Sequence, residues 1–186
     1  MGKLVMAVFC CGLYLIWAGV RIVDNITFDR NVEGYLKRAA DSNTIGLARE
    51  NLETALWYIE KENMTTGYTS VFWNTPGEEV TFWYKNLKKS LGELQAVNPE
   101  ASQLETSNVL MKLRETLLDH GPRGDKVTAP NGISVYPYNV LYAWWAILSG
   151  LGTITFFAAF VYGKKQEQLS APSRKFTDPS RGFRRM

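Results

Sequence analysis

Apolar and polar positions divide this chain into three zones. Leu4 to Val20 carries no charged residue, and neither does Val140 to Gly163. At about 1.5 Å per residue these runs make helices of roughly 25 and 36 Å, against a hydrocarbon core of about 30 Å. The second run is long enough to span a bilayer with some tilt. The first reaches that length by borrowing Ile22 and Val23 beyond Arg21, whose long side chain snorkels to the headgroups. Both are expected to be transmembrane helices, the first as an uncleaved anchor, because no small-residue cleavage site precedes a polar start.

Between the runs the apolar period is that of a helix. Val32, Tyr35, Leu36 and Ala39 share one face of residues 29–40. Ser42-Asn43-Thr44 is a break and a cap. Ile45, Ala48, Leu52, Ala55, Leu56 and Ile59 form a second stripe, with Arg49, Glu50, Glu53, Glu60 and Lys61 on the opposite face. A third runs through Val80, Trp83, Tyr84, Leu87, Leu91 and Leu94. Thr75-Pro76-Gly77-Glu78 ahead of it reads as its start, with Thr75 as N-cap, Pro76 at the first position and Glu78 closing a capping box. A fourth helix is expected from Asn98-Pro99-Glu100 to His120, with a wide apolar face of Leu104, Leu110, Met111, Leu113, Leu117 and Leu118. Pro122, Pro130, Pro137 and Asn131-Gly132 then predict loop, with a short extended piece around Ile133, Val135 and Tyr136. Residues 48–63 resemble the second helix of a tetratricopeptide repeat. The chain has no second copy at the repeat's period, so they read as one arm of an ordinary helical hairpin.

The expectation is therefore an all-α membrane protein. It has a transmembrane helix over 1–23, a helical extramembrane domain over 24–120 built like a three- to four-helix bundle, a Pro/Gly loop over 121–139, a second transmembrane helix over 140–163 and a disordered basic tail over 164–186. This layout resembles that of bacterial sensor ectodomains and chain-length regulators. Charge sets the expected orientation. The tail has seven basic and two acidic residues, whereas 21–139 has thirteen basic and sixteen acidic, a net of −3. Basic flanks stay cytoplasmic, which puts both termini inside and residues 24–139 outside, in a bacterial inner membrane. Arg174, Lys175, Arg181, Arg184 and Arg185 are expected to contact anionic lipid.

Chemistry is sparse. The spans carry no acidic, basic or histidine residue, so they offer no ion path or proton relay. His120 is the only histidine, and Cys10 and Cys11 both fall in the first apolar run, which excludes the usual zinc ligand sets from the middle segment. His120 is expected at a helix C-terminus, where the dipole favours a cation. No phosphate-binding glycine motif or nucleophile elbow is present. Arg123-Gly124-Asp125, and the glycosylation sequons at Asn25 and Asn63, are short enough to arise by chance. The expectation is no enzyme, no catalytic residue, no cofactor, no metal and no nucleic-acid partner.

What remains are surfaces. Ala143, Ala146, Gly150 and Thr153 make a stripe of small residues suited to close helix packing, with Ala7, Cys11 and Ala18 as a similar strip on the first run. Tyr68, Phe72, Trp73 and Phe82 have no place in any stripe. They are expected either to fill the core or to face outward as a partner or ligand surface. The function expected is a scaffold or accessory subunit with a protein partner or a second copy of itself. The alternative is a ligand-sensing ectodomain that signals through a partner subunit.

Overall fold

A computed structural model describes residues 2–122 and 124–170. It is mostly helical, in the order α1 (Gly2–Phe28), a π-helical turn (Asp29–Glu33), α2 (Gly34–Ala40), α3 (Ile45–Lys61), α4 (Val80–Ala96), α5 (Gln103–Leu117), β1 (Leu118–Gly121), β2 (Gly124–Val127) and α6 (Asn139–Ser170). The chain divides into two compact units, one over Tyr14–Ile147 and one joining the residues up to Leu13 with those from Leu148 onward.

In the larger unit, α1 from Tyr14 onward, the π turn and α2 form one uninterrupted helix. The sequence reads a span over 1–23 and a helical stripe over 29–40 as two elements. The chain instead continues, because Asp24, Asn25 and Asp29 sit on exposed or half-exposed faces while Phe28, Val32, Leu36 and Ala39 turn inward and are buried. The extra residue of the π turn re-aims this stripe, and Asn31 donates through Nδ2 to the Thr27 carbonyl beside it at 2.8 Å. Helix α2 packs on α3 and α5, α3 packs on α4, and α4 packs on α5. Thr44 caps α3 as expected, its Oγ1 accepting from the Leu47 amide. The α3 stripe is buried throughout except for half-buried Ile45, and the α4 stripe except for half-buried Tyr84.

Three local expectations fail. Helix α5 starts at Gln103, not near Asn98. The Asn98 side chain accepts from the Glu100 amide in a local turn, and Ser102 takes the capping role by accepting from the Glu105 amide. Leu118–Gly121 and Gly124–Val127 pair as antiparallel strands, with Leu118 opposite Val127 and His120 opposite Asp125, so the middle segment is not purely helical. Ile133–Val135 is a 3-10 turn, not an extended piece.

In the smaller unit, α1 and α6 lie against each other. A Cβ on Gly152 would stand 2.8 Å from the Cys10 Sγ, Ala7 and Ser149 are buried, and Thr153 Oγ1 donates to the Ser149 carbonyl. Val5, Val8, Phe9, Leu148, Leu151, Ile154 and Phe157 stand exposed on the outer sides. Both helices are long and apolar enough to cross a membrane.

Leu36 is fully buried between α3 and α5, so Leu36→Ala is expected to lower the unfolding free energy by about 2–5 kcal/mol. Leu104→Ala, at an exposed position, should change it by no more than about 0.5 kcal/mol. Thermal melts followed by circular dichroism compare the two.

Candidate functional site: an aromatic loop tied to α4

After α3 the chain turns through Asn63, whose φ is 57°, and runs as a loop to Pro76. The base of this loop is held from both sides. The Gly67 amide donates to Thr81 Oγ1 at 2.9 Å, and the Val80 amide donates to the Gly67 carbonyl at 2.9 Å. Thr69 donates its amide to the Glu78 carbonyl, making a one-residue bridge between Tyr68 and Glu79. The Tyr136 hydroxyl donates to the Thr66 carbonyl. The predicted capping box does not form. Thr75 Oγ1 donates to the Glu78 carboxylate at 2.6 Å over a short 3-10 turn, Pro76–Glu78. The loop takes the backbone groups of residues 78–80, so α4 starts only at Val80, with Glu79 extended before it.

The tip of the loop closes on itself, with Ser70 Oγ donating to Asn74 Oδ1 at 3.1 Å. Phe72 and Trp73 lie ring against ring, tilted by 49°, with centroids 5.9 Å apart. They are not core filling: Phe72 is 69 % exposed and Trp73 81 %. Phe82 is exposed on the first turn of α4, and Tyr68 is exposed at the bridge. All four unassigned aromatics therefore face outward, and the hydrogen bonds at the loop base fix where they do so. Thr69, Ser70 and Val71 line a cavity of about 360 Å³ together with Trp17, Arg21 and Tyr142. The Tyr142 hydroxyl donates to Asp24 at 2.8 Å, joining the start of α6 to α1 at this level.

The remaining chemistry-bearing groups lie elsewhere. His120 sits on β1, not at a helix end, and its Nδ1 is 2.7 Å from Asp125 on β2. Arg114 bridges Asp125 and Asp41 at 2.8 and 3.1 Å. The hydrogen bonds from His120 and then Arg114 hold the Asp125 carboxyl below its usual range. This cluster is a surface clasp between the hairpin, α5 and the end of α2. Glu60 accepts from Tyr84 and Lys88, which lowers its carboxyl pKa, while burial and this same bond push the Tyr84 phenol up to about 12. That contact ties α3 to α4. Among the described residues, no group of three His, Cys, Asp or Glu side chains is placed to hold a metal ion. A cleft of about 820 Å³ lies between the start of α3 and the end of α4, lined by Arg49, Glu53, Gln95 and Asn98 among others.

Ala143, Ala146, Gly150 and Thr153 are all half-buried. In the smaller unit a close approach falls at Gly152, with buried Ser149 one turn before it. Arg174, Lys175, Arg181, Arg184 and Arg185 lie outside the described residues, as does Arg123 of the Arg-Gly-Asp tripeptide.

Gly67 sets the loop. Its φ is +99°, and an added Cβ would stand 2.6 Å from the Tyr136 hydroxyl. Gly67→Ala is expected to cost about 1–3 kcal/mol of stability, read by thermal melting, and to free the tip for limited proteolysis near Trp73. No protein-family model matches the chain, and no curated protein or solved structure matches it either.

Proposed function

We propose that this chain is a non-enzymatic integral membrane protein, a scaffold or accessory subunit whose helical unit docks a protein partner or a second copy of itself. The single observation that carries the reading is apolar surface left uncovered on helices whose inner faces are packed. Helix α5 buries Leu113 and Leu117 but leaves Leu104 and Met111 exposed, where a wider core face was expected. These two are seven residues apart and so lie on one side of the helix. On α4, Phe82 stands 60 % exposed beside buried Val80 and Trp83. Large apolar side chains left exposed outside a satisfied core are the usual mark of an interaction surface.

In this reading α1 and α6 span a bacterial inner membrane, residues 24–139 form a helical bundle outside it, and both termini are cytoplasmic. The uneven distribution of basic residues supports that orientation. The exposed apolar sides of both helices support the spans, because no protein covers them. Gly152 against Cys10 supports a close-packed pair of spans.

Gentle detergent extraction is expected to bring down a stoichiometric partner or a homo-oligomer. Replacing Leu104→Ser together with Met111→Ser should abolish that association while changing the melting free energy by no more than about 0.5 kcal/mol per site. A monomer at every detergent concentration, or full association in the double variant, counts against the docking role of this face.

A further inference from the structure

The exposed pair of Phe72 and Trp73 needs an occupant, and three observations point to the same one. The first is position. Val71, the residue before the pair, shares its cavity with Trp17, Arg21 and Tyr142. Trp17 lies three residues inside the end of the first uncharged run, Arg21 is the first charge beyond it, and Tyr142 is the third residue of the second run. The Tyr142–Asp24 hydrogen bond holds the start of α6 level with this stretch of α1. The loop therefore sits beside α1 and α6 where their uncharged surface gives way to charge.

The second observation is composition. From Asn63 to Gly77 the chain has no charged residue, although Glu62 and Glu78 bracket it directly. A loop that only met water has no reason to exclude charge, and a layer of low dielectric gives one. The third is the form of the tip. It is a turn closed by Ser70 and Asn74 that carries the two exposed rings side by side. Tryptophan is the side chain most suited to the boundary between headgroups and acyl chains, where its ring is buried and its N–H stays wet.

We propose that Phe72 and Trp73 insert into the interfacial layer of the bilayer that holds α1 and α6, making the loop a third, non-spanning membrane contact. The proposal rests on the reading of α1 and α6 as spans. It makes the lipid surface, not a protein, the occupant of this end of the aromatic patch, and leaves Phe82 with the helix-borne docking face. Arg21 beside the loop then supplies a cation at the depth of the phosphate groups.

The test uses the full chain with Cys10→Ala and Cys11→Ala. A single cysteine is introduced by Trp73→Cys, Leu104→Cys or Ile154→Cys and carries an environment-sensitive fluorophore. Each protein is reconstituted into vesicles of phosphatidylcholine and phosphatidylglycerol, with or without lipids that bear a nitroxide near the top of the acyl chain. The label at 73 is expected to shift to the blue and to be quenched about threefold more than the label at 104. The label at 154 should report hydrocarbon. A label at 73 as wet and unquenched as that at 104, with 154 quenched, overturns the proposal and leaves the spans standing. A label at 73 that is blue-shifted yet unquenched by lipid also overturns it, because a protein surface then covers the loop. Failure of quenching at 154 overturns the spanning reading and the proposal with it.

Discussion

Everything in the larger unit is built on one stripe of side chains: Phe28, Val32, Leu36 and Ala39, carried on the helix that continues from the first apolar run. Helix α1 begins as a rod whose outer surface no protein covers. Across the π turn the same rod becomes the centre of a packed core, with α3 and α5 laid on it. A stripe at intervals of four drifts round a straight α-helix, and the extra residue of the π turn re-aims it locally. The core thus needs no disulfide, and among the described residues both cysteines lie in the first apolar run. Its cohesion comes from close packing of Leu, Ile, Val and Ala, supplemented at the rim by contacts such as Glu60 with Tyr84 and Lys88.

What the core does not cover is as informative as what it does. The outer sides of α1 and α6 are apolar because the proposed solvent there is lipid. Leu104, Met111 and Phe82 are apolar on a unit otherwise rich in charge, which makes them docking candidates. Phe72 and Trp73 differ from these. They sit on a charge-free loop level with Trp17 and Tyr142, which is why they are assigned, as a proposal, to the membrane boundary and not to the helix faces. A single patch of unassigned aromatics is thereby split between two environments by where its backbone is tied.

The helical stripes were legible in the sequence because a packed helix imposes a 3.6-residue period, and that period survives in the side chains of α3 and α4 almost residue by residue. The hairpin was not. Among the described residues Leu118 and Val127 are its only buried positions, and a strand with one apolar residue has no period to read. Cap signals misled twice, at Asn98 and at Thr75, because the same polar side chains also serve local turns. At Thr75 the choice was made by the distant Gly67–Thr69 segment, which claims the backbone of residues 78–80. Exposure of the aromatic loop was open for a similar reason. Whether Trp73 is inside or outside depends on where Gly67 and Tyr136 meet, sixty-nine residues apart in the chain, and no local window contains that contact.

The central claim is that α1 and α6 cross the bilayer and hold the helical unit on the face opposite both termini. Labelling of intact bacterial cells with a membrane-impermeant maleimide tests it most directly, using single cysteines at position 104 or 175 in a chain with Cys10→Ala and Cys11→Ala. The account predicts that position 104 reacts in intact cells and that position 175 reacts only after the membrane is permeabilised. Equal reaction at both positions without permeabilisation would contradict it.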